Sequence, residues 1–343
     1  SASDPAIDTN PSGGVGTEWH NTTSGEVYIC TDATAGANVW TNVGAGTGDV
    51  PEPFYGLGDS YGYSAGGYNA GNRNEIDKFA FNSSSNATDV GNLTVARGGG
   101  QAGISSQTYG WMAGGEPGAS DVIDRWSFSS DGDATDWGNL LTGNYSPVGH
   151  SSTTYGYVSA GSGPATGKSN VIQKFQFSTA NSTTDVGDLT EGKMYCVGTY
   201  SATHGYTMGG WKDIGTGEDD IEKFSFASDG DATDVASLTV GKRNASGATS
   251  GTYGYFIGGY QGGPINVIEK FAMASDGNGT DVGNLTAAKQ YVAGQNYTTH
   301  GYCSGGYTNV DTVEKFSFSS DGDAVDTTQN LTVGRGSPTG AQV

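Results

Sequence analysis

Short stretches of alternating apolar and polar residues, each closed by a Gly, Asp or Ser cluster, recur along most of this chain. Ile268-Glu-Lys-Phe-Ala-Met273 is representative: Phe271 and Met273 fall on one face of an extended strand, Ile268 and Ala272 on the other. Apolar residues on both faces mark a sheet covered on both sides. Turn signals around this stretch predict strands over 253–259, 267–273 and 280–285, and an innermost strand of the next unit over 291–297. The same unit returns six times. Its anchor glycines, Gly62, Gly110, Gly156, Gly205, Gly254 and Gly301, are 46 to 49 residues apart, the spacing of one four-stranded propeller blade per repeat. Phe79 and Phe81, Trp126 and Phe128, Phe175 and Phe177, Phe224 and Phe226, and Phe316 and Phe318 repeat the Phe271/Met273 pattern and are expected in the core.

The expected fold is therefore all-β: a six-bladed propeller over 51–343, with repeats near 61–108, 109–154, 155–203, 204–252, 253–299 and 300–343. The C-terminal Ser337-Pro-Thr-Gly-Ala-Gln-Val343 aligns with innermost strands such as Ser146-Pro-Val-Gly-His-Ser-Ser152. It is expected to pair beside 61–67, which removes an exposed edge and leaves 51–60 as a linker or extra edge strand. Residues 1–50 differ in kind and read as a small β-meander turning at Ser24-Gly25. So short a module buries little core by itself. Trp19, Tyr28 and Trp40 are expected to pack against a sister copy, the propeller or a larger particle.

The strand ending in Gly-Gly, as in Tyr255-Phe-Ile-Gly-Gly259, followed by Asn266-Val-Ile-Glu-Lys-Phe271, resembles the kelch repeat of kelch and galactose-oxidase-type propellers. The likeness covers all six units, with Ala160-Gly161 replacing Gly-Gly in the third. The N-terminal stretch, with Gly16-Thr-Glu-Trp-His-Asn-Thr22, Val27-Tyr-Ile-Cys-Thr-Asp32 and Ala37-Asn-Val-Trp40, resembles short modules of bacteriophage tail-fibre and other virion proteins. That resemblance implies a virion component, assembled in a host cytoplasm and exposed on the particle surface, whose residues 1–50 contact virion proteins or sister copies.

Composition by itself points elsewhere. Leu, Ile, Val and Phe make up only 54 of 343 residues and the net charge is -21, values typical of disordered chains. The fixed positions of Tyr and Phe within the repeat outweigh this, and the 59 glycines fit tight turns between closely packed strands. Cys30, Cys196 and Cys303 are scattered, without zinc or disulfide spacing, and are expected as buried free thiols. No apolar run is long enough for a membrane helix, and Ser1-Ala-Ser-Asp-Pro5 lacks the features of a signal peptide. The Asn-x-Ser/Thr triplets at Asn21, Asn92, Asn284 and Asn330 are read as turn and strand chemistry.

Strand parity separates two faces. One carries near-invariant turns: Thr-Tyr-Gly or Thr-His-Gly, and Ser-Asp-Gly-Asp, a hairpin signal. Asp131, Asp133, Asp136, Asp229, Asp231, Asp234, Asp321, Asp323 and Asp326 make it acidic, with plain hairpins the leading reading and calcium the lesser. The other face carries loops that vary in length and chemistry. The strand bases Lys78, Arg125, Lys174, Lys223, Lys270 and Lys315 are expected to pair along their own blades. Arg97, Lys193, Lys242, Lys289 and Arg335 share one interblade position, with Asn144 at the sixth; Arg73, Lys168, Lys212 and Arg243 are further loop bases. Together with Trp211, Tyr260 and Tyr307, and with Tyr68, Tyr145, Tyr195 and Tyr291 nearby, they suit a carbohydrate or anionic polymer. The alternative is that these bases neutralise an acidic protein and hold the interblade turns.

Nucleic acid is not expected as a partner, because a chain with a sequence pI near 4.2 meets the phosphate backbone with net repulsion. No nucleophile, base and acid set or metal triad emerges around His20, His150, His204 and His300, so neither enzyme activity nor a cofactor is expected. The expected function is recognition of a host-surface glycan by a fibre- or adhesin-like virion protein. A decoration protein without glycan binding is the alternative, and a polysaccharide-degrading tail spike the least favoured.

Overall fold

The computed structural model describes residues 1–44, 56–100, 102–163, 167–212 and 217–343. All elements among them are β-strands, and the chain divides into two compact units, Ser1–Pro53 and Phe54–Val343.

The first unit is a three-stranded antiparallel meander, Glu18–His20, Val27–Asp32 and Val39–Gly44. The indoles of Trp19 and Trp40 meet edge to face, with ring centroids 5.9 Å apart. The segment before the first strand covers them: Trp19 Nε1 donates to the Ser3 carbonyl at 2.9 Å and Trp40 Nε1 to that of Thr9 at 3.2 Å. Asn38 Nδ2 bonds the Ile7 carbonyl and Asn21 Nδ2 the Asp4 carboxylate. The tryptophans thus find partners within their own unit, and Cys30 is fully buried beneath.

The second unit holds six four-stranded antiparallel sheets in chain order. Their first strands are Thr339–Gln342, Ala102–Ser105, Val148–Ser151, Val197–Tyr200, Ser246–Thr249 and Ala293–Asn296. Thr339–Gln342 pairs with Tyr61–Ala65, Gln342 opposite Gly62, so the C-terminal strand completes the sheet that contains Glu75–Ala80 and Thr88–Asn92. The fifth sheet, with Tyr253–Ile257, Ile265–Ala272 and Thr280–Lys289, runs close to expectation, the last two strands being longer. A bulge interrupts each pairing of third and fourth strands. In the Asp-x-Gly form of this bulge the Asp carboxylate accepts from the backbone N–H two residues on, as Asp136 does from Gly138 at 3.1 Å.

Core lies between neighbouring sheets. The described apolar residues form six buried clusters, most drawn from two adjacent sheets. Tyr63 meets Phe128 of the next sheet at 4.8 Å, Trp111 meets Phe177 at 4.4 Å and Tyr157 meets Phe226 at 4.7 Å. Each buried ring contributes about 1.5–3 kcal/mol. The anchor glycines lie under the first aromatic of each third strand: a Cβ on Gly254 would be 2.2 Å from the Phe271 ring.

The first strands adjoin one another in chain order, and Thr339–Gln342 lies beside both Ala293–Asn296 and Ala102–Ser105. Glycine permits this approach. A Cβ on Gly149 would stand 2.3 Å from the carbonyl oxygen of Gly103, one on Gly198 2.6 Å from that of Gly149, and one on Gly247 2.1 Å from that of Gly198. Gly294 meets Gly247 at 2.1 Å, Gly340 meets Gly294 at 1.9 Å, and Gly103 meets Gly340 at 2.3 Å, which brings the series back to its start.

Candidate functional site

The five bases that share one position between consecutive sheets do not reach solvent. Arg97, Lys193, Lys242, Lys289 and Arg335 are at most 5% exposed. Each enters the following sheet and meets an acid on its third strand: Arg97 to Asp124 at 2.5 Å, Lys193 to Glu222 at 2.7 Å, Lys242 to Glu269, Lys289 to Glu314 at 2.6 Å and Arg335 to Asp77 at 2.8 Å. The threonine of each Asn-Leu-Thr or Ser-Leu-Thr motif adds two hydrogen bonds to the same acid; Thr332 donates its N–H and hydroxyl to Asp77 at 2.8 and 2.7 Å. Burial works against the Lys193 ammonium, but the Asp220 and Glu222 carboxylates hold it above the usual lysine range. A ligand-facing role expected for these five is corrected: their charge is consumed inside the protein, because a buried ion needs a buried counter-ion.

At the sixth position all the partners are neutral. Asn144 replaces the base and donates to the Ala160 carbonyl at 2.8 Å, Gln173 replaces the acid, and Leu141 replaces the threonine, its N–H donating to Gln173 Oε1 at 3.0 Å.

Four of the six strand bases likewise pair across sheets and not along their own, a second correction. Lys78 reaches Asp131, Lys174 reaches Asp229, Lys223 reaches Asp276 and Lys270 reaches Asp321, each in the hairpin of the following sheet. Arg125, which faces a hairpin without Asp, packs on Tyr109 and Trp137, 4.2 and 3.8 Å from their ring centroids. The second Asp of Ser-Asp-Gly-Asp caps the preceding sheet, as Asp133 does at Asn92 N–H at 2.8 Å. The acidic face thus uses many of its carboxylates as connectors, and among the described residues no group of three or more His, Cys, Asp or Glu is arranged to hold a metal.

What remains open lies where the first strands begin. A depression of about 140 Å³ is bordered there by Gly100, Ser146, Tyr195, Asn244, Tyr291 and Ser337, one from each loop that joins consecutive sheets. All six have positive φ, between 51° and 80°. Four backbone hydrogen bonds join neighbours of this series into a collar: Ser337 N–H donates to Tyr291 O, Tyr291 to Asn244 O, Asn244 to Tyr195 O and Ser146 to Gly100 O, over 2.7–3.2 Å. The backbone repeats while the side chains differ. Tyrosines gather on one side, with Tyr145 and Tyr195 hydroxyls 2.9 Å apart, Tyr195 edge to face with Tyr291 at 6.2 Å, and Tyr291 6.4 Å from Tyr307. Burial and the bond to Tyr145 hold the Tyr195 hydroxyl well above the usual phenol range, so it stays neutral. Below the tyrosines, burial pushes the Cys196 thiol up to about 12, which leaves it unreactive.

Deeper along the first strands a second space of about 50 Å³ is bordered by Thr199, Tyr200, Asn296 and Gln342. The Gly56 carbonyl spans this end, accepting from Gln342 Nε2 at 2.6 Å and Asn296 Nδ2 at 3.3 Å. Gly58 bridges to Tyr297. Of the segment expected as linker or extra edge, residues 51–55 lie outside the described residues, and 56–60 run across the ends of the first strands.

The remaining loop residues form a rim around the collar. Trp211 bridges Met194, Tyr260 bridges Arg243 and Tyr68 bridges Gly336 through the backbone. Lys168 Nζ lies 4.4 Å from the Trp211 ring centroid. Arg73 is bound to Glu75, and Lys212 to Glu191 and Glu218. Tyr307 is largely exposed. The structure therefore brings Lys168, Trp211 and Tyr260 together with Arg243, sets Tyr307 beside Tyr291, and removes the five inter-sheet bases from the surface. Sequence reasoning missed the collar, whose αL geometry leaves no mark where Ser and Tyr occupy it. It also left unassigned the setting of His150, buried with Nδ1 3.0 Å from Thr199 O and Nε2 3.0 Å from Ser159 Oγ. Compared with known proteins, the chain matches no protein-family model and no curated sequence.

Proposed function

We propose that the six sheets are the blades of a closed β-propeller and that the protein is a non-enzymatic, fibre- or adhesin-like virion or surface component. Its propeller recognises a host-surface glycan through the variable-loop face, and its N-terminal meander joins it to virion proteins or sister copies. The cyclic series of glycine contacts supports the propeller. The observation that carries the recognition reading is the collar, a repeated backbone that presents different side chains, with neutral tyrosines grouped beside a depression of monosaccharide size. Aromatic faces with fixed hydroxyls suit sugar rings, which offer C–H faces and equatorial hydroxyls to one surface.

A second reading, a decoration protein without a ligand, is favoured by the interblade bases: the residues that looked most like a binding surface are ties between sheets. Binding of the full chain to an array of neutral and acidic bacterial glycans separates the two. Selective, saturable binding that falls at least tenfold in a Tyr195→Ala/Tyr291→Ala double variant supports recognition. Uniform absence of binding supports decoration.

A further inference from the structure

Most bases of this chain have a carboxylate within ion-pair distance, on or between sheets. Arg243, like Arg125, instead packs between two aromatic rings, and of the two it is Arg243 that lies beside the collar. No acid among the described residues pairs with it, although acids outnumber bases 36 to 15 in the chain. Its guanidinium carbon lies 5.2 Å from the ring centroids of both Trp211 and Tyr260. Its backbone is fixed by a two-way bridge, Arg243 N–H to Tyr260 O at 3.2 Å and Tyr260 N–H to Arg243 O at 2.7 Å. Its Nε is buried without a hydrogen-bond partner. Glu191 and Glu218 are engaged by Lys212, and the Lys168 ammonium also lies against Trp211, 4.4 Å from its ring centroid. The next residue, Asn244, belongs to the collar, and Arg243 is near enough to Tyr291 for its charge to act on that hydroxyl.

We infer that Arg243, held between Trp211 and Tyr260 at the edge of the tyrosine-lined depression, is the carboxylate-recognition point of this face, and that its ligand is an acidic saccharide. The inference rests on the recognition reading above and narrows it to one ligand class. A guanidinium is a planar fork that matches a carboxylate with two parallel N–H···O bonds. Aromatic neighbours orient the fork without neutralising it, because a ring face attracts the cation yet accepts no proton. In a chain of net charge -21, an arginine at a rim that pairs with no acid among the described residues is placed to take an incoming anion on its guanidinium.

The test is titration of the full chain with an oligogalacturonate and with the same oligosaccharide after carboxyl reduction, and in parallel with sialyllactose and lactose. The carboxylate form of at least one pair is expected to bind roughly ten- to a hundredfold tighter, the range of charge-assisted hydrogen bonds. Arg243→Gln is expected to erase that difference, and Arg243→Lys to restore only part of it, since an ammonium has no fork. Lys174→Gln, a charge change on the opposite turns, controls for net charge, and unchanged thermal melting of each variant controls for folding. Equal binding of acidic and reduced sugars, or a preference that survives in Arg243→Gln, overturns the inference while leaving glycan recognition intact. Absence of binding to any of the four sugars by a chain that also fails on the glycan array overturns both.

Discussion

Gly247 has ordinary strand geometry, yet no side chain fits there, because a Cβ would stand 2.1 Å from the Gly198 carbonyl oxygen. Gly247→Ala is expected to cost about 3 kcal/mol, at the upper end of overpacking penalties, since backbone on the neighbouring strand cannot rotate away as a side chain would. Gly263→Ala, with open space around the added methyl, should be neutral or slightly stabilising; urea denaturation of the two variants checks the contrast. His150 carries the second residue-scale consequence. Burial lowers its pKa to about 4, partly opposed by its bond to the Thr199 carbonyl. An unfolded histidine binds its proton near 6.5, so between that pH and about 4 the unfolded state holds the extra proton and stability falls as the pH drops, by about 3 kcal/mol in all. Gln295 occupies the equivalent strand position and bonds Ser304 and the Tyr63 carbonyl, so His150→Gln should keep the fold. Subtracting its stability from that of the parent protein between pH 7 and 4 is expected to leave this slope; parallel curves would refute it.

Between elements, side-chain lengths are matched. The longer Arg97 and Arg335 meet the shorter Asp124 and Asp77, whereas Lys193, Lys242 and Lys289 meet Glu222, Glu269 and Glu314. Between the second and third sheets Leu141, Asn144 and Gln173 are exchanged as a group. Asn144→Lys alone buries a cation without a counter-ion and Gln173→Glu alone an anion without one; each is expected to destabilise by about 3–5 kcal/mol, as broken buried pairs do. The double variant, with Leu141→Thr to complete the acid's hydrogen bonds, should recover most of that loss, giving a coupling of at least about 2 kcal/mol in a chemical-denaturation cycle. Additive losses would mean that the shared position is coincidental. This correlation was already in the sequence: the base, the Thr and the third-strand acid vary together across the six units. What hid it is that a base on a loop looks solvent-facing until the next sheet is packed against it. Strands, hairpins and aromatic core were readable because each is set within one unit by local alternation and turn chemistry. The ion pairs, the collar and the setting of Arg243 arise between units, so a single repeat carries no mark of them.

For the whole molecule, the proposed propeller makes its stability depend on one strand. Thr339–Gln342 pairs with Tyr61–Ala65 and also fills the gap between Gly294 and Gly103. Deleting residues 339–343 removes both contacts and leaves Tyr61–Ala65 as a free edge able to pair with another chain. The truncated protein should unfold less cooperatively and at lower temperature, and should elute as larger species in size-exclusion chromatography. Gly340→Val separates the two causes. It keeps the strand and its pairing partners but places a Cβ 1.9 Å from the Gly294 carbonyl, so it opposes closure without exposing the edge to the same extent. Loss of melting temperature in both variants, with association strongest in the truncation, is the outcome expected of a ring joined through its C-terminus. A Gly340→Val protein that melts like the parent would mean that the first strands are not held in mutual contact, and that the six sheets form an open array stabilised pair by pair through Arg97–Asp124 and its equivalents.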